Sequence, residues 1–379
     1  MGRKMSTSHG EKELQKPISE YAKYLKNLLP VNIPEAYALK PMFENVAGEE
    51  EIRAGVIAFR DFMGLFFDCL ILEGHRYAEP KKTNNPTSYP FLHSLNQLLV
   101  DIGYHGKRSE NGDSLLLTGI SVFQIPKPSV PVSKQMECLR LLTLCGFVFQ
   151  GIDMEARRFS ILDEVIIVSY PSNPIMLTGL KALSIADIEL RPRRYSNDDN
   201  LLRCDYRLLK EEDMEMLDLL KDFLQALPED LQQFALELHE RYIAMGLTCT
   251  IMSRAGVHFA YAYLKNNLRE LSAQDIYEKR VWKFSVTMKE GHTLVVRAKK
   301  TDSYIEIIEE FPMALREKIA EGYGCDRKLR NEPCQMGCQG IRIPFNEEIL
   351  AMKEDIVTWL DCEMPSSLTL RDGGLAFDG

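Results

Sequence analysis

The spacing of apolar residues changes along this chain of 379 residues, and the change strongly limits the folds open to it. In the first part, apolar positions recur every three or four residues, as between Glu49 and Leu72. That is the period of a helix with one buried face. Beyond Gly246 the period becomes two, which is typical of strands, over 247–254, 257–263, 281–288 and 292–298. The sequence therefore predicts an α+β fold. We expect a helical N-terminal half and a C-terminal antiparallel sheet with helices.

A helix that leads into a β-hairpin is predicted twice in the N-terminal half. The first unit spans 91–118 and contains Gly103-Tyr104, and the second spans 134–168 and contains Gly146-Phe147. Glycine directly after a helix is the usual left-handed cap, and the polar turn and apolar run that follow indicate a hairpin. These are the ingredients of a winged-helix-like unit, and the pair could be a duplication.

The helices, strands and polar stretches divide the chain into five parts. We expect an N-terminal tail and short helix over 1–48, a winged-helix-like domain over 49–190, and a linker and helix over 191–228. An α+β domain with a cysteine cluster follows over 229–363, and a C-terminal tail over 364–379. The charged stretch 189–203 has little periodicity, which indicates either a domain boundary or an exposed crossing loop.

Composition excludes several classes of protein. The chain has 45% hydrophobic residues and a net charge of -9, from 46 basic and 55 acidic side chains. These values do not fit a disordered chain, collagen or a small disulfide scaffold. A polar stretch over residues 1–20 predicts a cytoplasmic protein. The apolar run Val56 to Leu72 contains Arg60, Asp61 and Asp68, so we expect no membrane span.

Three of the nine cysteines form the clearest local group, Cys325, Cys334 and Cys338. Their spacing is Cys-x8-Cys-x3-Cys, and the nearby residues Pro333 and Gly337 favour tight turns. Thiolates bind zinc tetrahedrally, so this group could hold a structural zinc ion. Free thiols, a disulfide or a redox pair, and a reactive thiol near basic residues remain alternatives.

The fourth zinc ligand and the other cysteines are open questions at this point. A fourth ligand could be Cys362, His239, His258, a carboxylate or water. The remaining cysteines lie in apolar or mixed segments, where reduced thiols act as small hydrophobic side chains; they are Cys69, Cys138, Cys145, Cys204 and Cys249.

Recognisable catalytic motifs are absent from the sequence. It contains no G-x-S-x-G elbow, no Walker A loop, no G-x-G-x-x-G after a strand and no H-E-x-x-H helix. We therefore expect a protein that is not an enzyme. The alternative is an enzyme with a site between the two halves, near 189–212, that uses a cluster thiol or histidines.

Basic residues at the hairpin tips suggest a third function, DNA regulation. The candidates are Lys107, Arg108, Arg157 and Arg158, with Arg191, Arg193 and Arg194 beyond them. The helix that a winged-helix unit would present, around 133–145, carries Lys134 and Arg140 against Glu137. So little positive charge does not favour nucleic acid as the partner.

Several stretches carry a resemblance to a known group of proteins. They are YPFLHSLNQLLVDIGYHG, VSYPSNPIMLTGLKALSIAD, LLRCDYRLLKEE, LHERYIAMGLTC and EKIAEGYGCDRKLRNEPCQMGCQGIRIP. Over about residues 50–363 the chain resembles a family of uncharacterised bacterial proteins of similar length, typical of clostridia and their relatives. The resemblance implies no activity or cofactor. It does imply a set of three cysteines, Cys325, Cys334 and Cys338, without Cys362.

The sequence thus predicts a cytoplasmic, non-enzymatic binding or regulatory protein. Its partner would be a protein or a small-molecule ligand, and its cysteine cluster could hold zinc.

Overall fold

The computed structural model describes residues 18–74, 90–118, 130, 132–157, 159–190, 201–212, 215–253, 256–263, 279–287, 290–321 and 340–365. Their fold is α+β, which confirms the predicted class. Helices dominate the N-terminal half, and the C-terminal half combines an antiparallel sheet with helices.

Five α-helices lie in the described residues of the N-terminal half. They are α1 Ile18–Lys26, α2 Glu49–Glu73, α3 Pro90–His105, α4 Val132–Leu144 and α5 Met176–Glu189. The predicted apolar stripe of α2 is buried, including Val56, Phe59 and Phe66. The first turn of α2 contains three acidic residues, whose negative charges interact favourably with the helix dipole and stabilise the helix.

The described part of this half also contains four strands. They are β1 Lys107–Arg108, β2 Ser114–Thr118, β3 Val148–Gln150 and β4 Val165–Ser169. Their order is β1-β2-β4-β3, and every pairing is antiparallel. Both predicted helix-hairpin units are therefore present. The sequence did not show that β2 and β4 pair and so join the two hairpins into one sheet. The winged-helix-like description of the units stays a prediction.

The two glycines that were expected to cap helices differ in role. Gly146 follows α4 with a φ of +103°, which confirms a left-handed cap there. Gly103 lies inside α3, so its prediction as a cap is wrong. A Cβ on Gly103 would lie 2.8 Å from the Leu180 carbonyl oxygen and 2.7 Å from Ser184 Cβ. Glycine at this position allows α3 to lie close to α5.

A second pair of glycines brings α2 and α5 into backbone contact. A Cβ on Gly55 would lie 2.6 Å from the backbone nitrogen of Gly179, and one on Gly179 would lie 2.1 Å from the Gly55 carbonyl oxygen. Neither position has room for a side chain, so this helix crossing depends on glycine on both sides.

The C-terminal half contains the predicted sheet. Its strands are β5 Thr248–Ser253, β6 Gly256–Ala262, β7 Arg280–Thr287, β8 Gly291–Val296 and β9 Ile341–Pro344. They follow one another in the order β5-β6-β7-β8-β9, all antiparallel. The first four strands were predicted. β9 was missed because its alternating pattern is only four residues long.

Helices surround one face of this sheet. They are α6 Met216–Leu224, α7 Glu229–Ala244, α8 Ile305–Glu310, α9 Met313–Glu321, α10 Glu347–Leu350 and α11 Lys353–Glu363. The predicted break at Phe311-Pro312 is confirmed, since Phe311 is extended between α8 and α9. Side chains from α6, α7 and α11 form one apolar core with Phe259, Phe284 and Leu294 of the sheet.

Residues 201–209 connect the two halves and lie largely within the N-terminal core. The interpretation of 189–203 as an exposed loop is wrong for 201–203, which are buried. Cys204 has a left-handed φ of 51°, and its thiol donates to the Val56 carbonyl at 3.5 Å. Residues 191–200 lie outside the described residues.

An arginine ties this connection to the C-terminal half. Arg207 donates to Asp205 at 2.5 Å, lies 3.6 Å from Asp222 of α6, and stacks over the ring of Phe223. The N-terminal helix also reaches across, since the Tyr24 hydroxyl donates to the Val286 carbonyl of β7 at 3.4 Å. Polar contacts of Arg207 and of Tyr24 thus link the N-terminal half to the C-terminal half.

None of the helices within the described ranges has the length and apolar character to cross a bilayer.

Candidate functional site

The two faces of the C-terminal sheet differ in chemistry. One face is the apolar core. On the other, the strand register places His258, Ser285 and Thr293 in one row across β6, β7 and β8. The next row contains Ala260, Lys283, Val295 and Arg342. A register shift pairs Arg280 with Ala262 on the same side. We call this the basic face, defined by His258, Arg280, Lys283, Ser285, Thr293 and Arg342.

Hydrogen bonds connect the centre of the basic face. His258 Nδ1 lies 2.9 Å from Ser285 Oγ and 3.4 Å from Lys283 Nζ. An ammonium group can only donate, so Nδ1 accepts from Lys283. The Thr293 hydroxyl donates to the backbone carbonyl of Ser285 at 3.5 Å. Three strands therefore hold these polar groups in fixed positions.

Lys283 lies in a region of positive charge. Its burial, together with the charges of Arg280 and Arg342, lowers the pKa of Lys283 from 10.5 to about 8. Glu290 acts in the opposite direction, and its carboxylate pairs with Arg342 at 2.9 Å. The site thus contains three cations and one carboxylate, Glu290, which already pairs with Arg342. Its net electrostatic potential is therefore positive.

The basic face is buried at its centre and open at one side. Ser285 is 1% exposed and Thr293 is 2% exposed, whereas Lys283 is half-buried. Arg342 is exposed and lies on β9, the edge strand of the sheet. Arg342 is therefore the member of the basic face that is most accessible to solvent.

The arrangement suits anion recognition better than nucleophilic catalysis. In a serine hydrolase the third group beside histidine is a carboxylate, which stabilises the imidazolium that forms when histidine takes a proton. Here that neighbour is the cation Lys283 and not a carboxylate. Arginine, lysine and hydroxyl groups together are the donors that bind phosphate oxygens.

The predicted zinc ligands Cys325, Cys334 and Cys338 lie outside the described residues. Among the residues that the structure describes, no three histidine, cysteine, aspartate or glutamate side chains could share a metal ion. The candidate fourth ligand Cys362 is half-buried on α11. Burial and its neighbours Asp361 and Glu363 raise the pKa of the Cys362 thiol.

The two histidines considered as zinc ligands have other neighbours. His258 belongs to the basic face. His239 of α7 is buried in the C-terminal core, where its Nδ1 lies 2.9 Å from the Tyr261 hydroxyl. Burial lowers the pKa of His239, so this imidazole is neutral near pH 7. Tyr261 stacks on Trp282 with 3.7 Å between ring centroids, which fixes the position of the hydroxyl.

The five remaining cysteines are free thiols, as predicted. Cys138, Cys204 and Cys249 are buried, whereas Cys69 and Cys145 are half-buried.

The basic residues predicted at the hairpin tips differ in their surroundings where the structure describes them. Arg108 turns back onto α2, where it pairs with Glu51 and donates to the Val46 carbonyl at 3.1 Å. Arg140 donates to the Ala156 carbonyl at 2.8 Å. Lys107 and Arg157 are exposed. Arg158, Arg191, Arg193 and Arg194 lie outside the described residues.

Sequence reasoning missed the basic face, although one signal was present. The segment 281–288 was predicted as a strand, and alternation along it places Lys283 and Ser285 on one side. A strand with one apolar face and a lysine on the other is normally read as half solvent-exposed. Only the register of β6 to β9 shows that arginines and hydroxyls gather around this lysine.

No family model matches the chain, and searches of curated proteins and of solved structures also return no match.

Proposed function

We propose that this is a non-enzymatic, cytoplasmic binding protein that holds a small phosphate-bearing ligand on its basic face. The observation that carries the proposal is the position of Lys283, half-buried between Arg280 and Arg342 and in contact with His258. Placing a lysine there is unfavourable without an anion, because burial and like charges both disfavour the charged form. The negative charge of a bound phosphate offsets both effects, because it favours the charged form of Lys283.

Phosphate fits this site better than a single carboxylate. The site offers three cationic side chains, which is more positive charge than one carboxylate can use. Burial at the centre of the basic face favours a small molecule over a nucleic acid, which needs an exposed surface.

A thermal-shift series tests the proposal. Inorganic phosphate, pyrophosphate, nucleoside phosphates and, as a carboxylate comparison, citrate are added to the full chain at constant ionic strength. A ligand at 100 times its Kd stabilises the folded state by about 2.7 kcal/mol, which raises the melting temperature measurably.

Two variants assign the effect to the basic face. Lys283→Met is expected to lose the phosphate-dependent shift. Lys221→Met is the matched control, since Lys221 is an exposed lysine on α6 in the same half of the chain. The proposal fails if no phosphate compound shifts the wild type, or if Lys283→Met responds as the wild type does. A larger shift with citrate than with pyrophosphate would replace phosphate by carboxylate as the ligand class.

We further propose that Cys325, Cys334 and Cys338 hold a structural zinc ion. The proposal rests on the spacing of three potential thiolate ligands in the sequence. Elemental analysis of protein purified without chelator tests it, and about one zinc per chain is the expected result. Full titration of these thiols in zinc-free protein that remains folded would contradict it.

A further inference from the structure

Two cysteine thiols are in contact in the N-terminal half, far along the chain from the basic face. Cys69 lies on α2, and Cys145 directly follows α4. Their thiols hydrogen-bond to each other, both side chains are half-buried, and both thiols are free. The pair thus joins two separate elements at a position that small molecules can reach.

Packing around the pair holds the two elements together. Phe62, two helical turns before Cys69, meets the ring of Phe147 edge-on with 5.2 Å between centroids. Gly146 lies between Cys145 and Phe147, and a Cβ there would lie 3.0 Å from the Tyr170 ring. The backbone at 145–147 is therefore fixed against α2 by the aromatic core, and the thiol contact is a property of the folded state.

We propose that Cys69 and Cys145 form an oxidation site, at which hydrogen peroxide converts the two thiols into a reversible disulfide. The bond ties α2 to the turn between α4 and β3. A disulfide requires two neighbouring cysteine side chains, and these two hydrogen-bonded thiols meet that condition.

The chemistry assigns a different role to each sulfur. Burial and the neighbouring Cys69 raise the pKa of Cys145 to about 12, so Cys145 keeps its proton at neutral pH. We therefore assign the attack on peroxide to the Cys69 sulfur, which loses its proton in this reaction. The sulfur–oxygen bond forms as the oxygen–oxygen bond breaks, and the departing hydroxide takes a proton to become water, which leaves Cys69 as a sulfenic acid.

The second step closes the bridge. The Cys145 sulfur attacks the Cys69 sulfur, the sulfur–sulfur bond forms, and the sulfur–oxygen bond breaks. The hydroxyl leaves with the Cys145 proton as a second water molecule. In total two thiols lose two electrons and two hydrogen atoms, and one peroxide becomes two waters. A thiol reductant reverses the result.

Other described cysteines are poorly placed to compete. Cys138, Cys204 and Cys249 are buried, and burial raises the pKa of each thiol. Cys362 is half-buried on α11, in the other half of the chain. It is a suitable control because its environment has similar exposure without a thiol partner among the described residues.

The test is peptide mapping of the full chain after brief treatment with hydrogen peroxide, alkylation and digestion with trypsin without reductant. We expect a linked pair of peptides, 61–76 and 141–157, each of which contains one cysteine. The treated protein should titrate two fewer thiols, and a reductant should restore both. Cys362→Ser should give the same linked pair, whereas Cys69→Ser and Cys145→Ser should not.

Three results would overturn the proposal. They are alkylation of both cysteines after treatment, oxidation of Cys69 beyond sulfenic acid with Cys145 still free, and a link from either cysteine to another partner. All can be observed in the wild type, so the test does not depend on the stability of a variant.

Discussion

Replacement of Lys283 by methionine should stabilise the protein in the absence of a ligand, which is unusual for a change on a buried sheet face. The pKa of Lys283 falls from 10.5 to about 8 on folding. One pKa unit corresponds to 1.36 kcal/mol, so the charged side chain opposes folding by about 3 kcal/mol at pH 7. Methionine removes this unfavourable contribution to the free energy of unfolding. The loss of the hydrogen bond to His258 costs about 1 kcal/mol in return. We expect a net gain of about 2 kcal/mol.

The gain should depend on pH with a defined sign. Between pH 8 and pH 10.5 the unfolded chain binds more protons at Lys283 than the folded chain does, so the wild type recovers stability as pH rises. The unfavourable contribution of about 3 kcal/mol at pH 7 falls to about 1 kcal/mol at pH 10. The advantage of Lys283→Met should shrink by the same amount. The charged groups that act on this lysine are Arg280, Arg342 and Glu290, with His258 in contact.

Denaturant unfolding followed by tryptophan fluorescence measures this difference directly. The two tryptophans, Trp282 and Trp359, are both fully buried in the C-terminal core, so the signal reports this half of the chain. Buried tyrosines and thiols also titrate at high pH, but they are the same in both proteins and cancel in the difference. Lys221→Met should differ from the wild type by less than about 0.5 kcal/mol at every pH. If Lys283→Met is less stable than the wild type, or if the difference does not change with pH, Lys283 does not lie in a positive potential.

Two further changes test the packing and the polar contacts of the fold. Gly179→Ala should destabilise the protein by about 2 kcal/mol or more, because its Cβ would meet the Gly55 carbonyl oxygen at 2.1 Å. Gly64 of α2 is the control, because no atom lies within 4 Å of its Cβ position, and Gly64→Ala should stabilise the protein by about 1 kcal/mol. Equal effects of the two changes in thermal unfolding would argue against the close crossing of α2 and α5. Glu363→Gln should cost about 2–4 kcal/mol, because the buried carboxylate accepts two consecutive backbone amides and the Tyr304 hydroxyl. A neutral result in urea unfolding would show that an uncharged amide satisfies these donors.

The fold was predictable where periodicity extends over many residues. The stripe of α2 and the alternation of β5 to β8 gave the correct element types, and Gly146 marked the correct helix end. The same rule was wrong for Gly103, because a glycine that ends a helix and a glycine that admits a neighbouring helix are identical in sequence. Only the position of Ser184 distinguishes them.

The candidate site was not predictable, because it depends on register between strands distant in the chain. His258, Lys283 and Arg342 belong to three strands, and each is ordinary in its own segment. Likewise, Arg108 was expected to face a partner, but it pairs with Glu51 from a helix far away in sequence. The candidate site depends on long-range pairing of polar groups, which a hydrophobic pattern does not encode.

Calorimetric titration of pyrophosphate into the wild type and into Lys283→Met decides most directly whether the basic face binds phosphate. We expect saturable binding to the wild type, with proton uptake at pH 8 to 9 as the anion raises the pKa of Lys283. Lys283→Met should bind at least about tenfold more weakly, which corresponds to the loss of about 1.4 kcal/mol. Equal affinity of the two proteins, or no heat of binding to the wild type, would mean that the basic face is a structural feature and not a binding site.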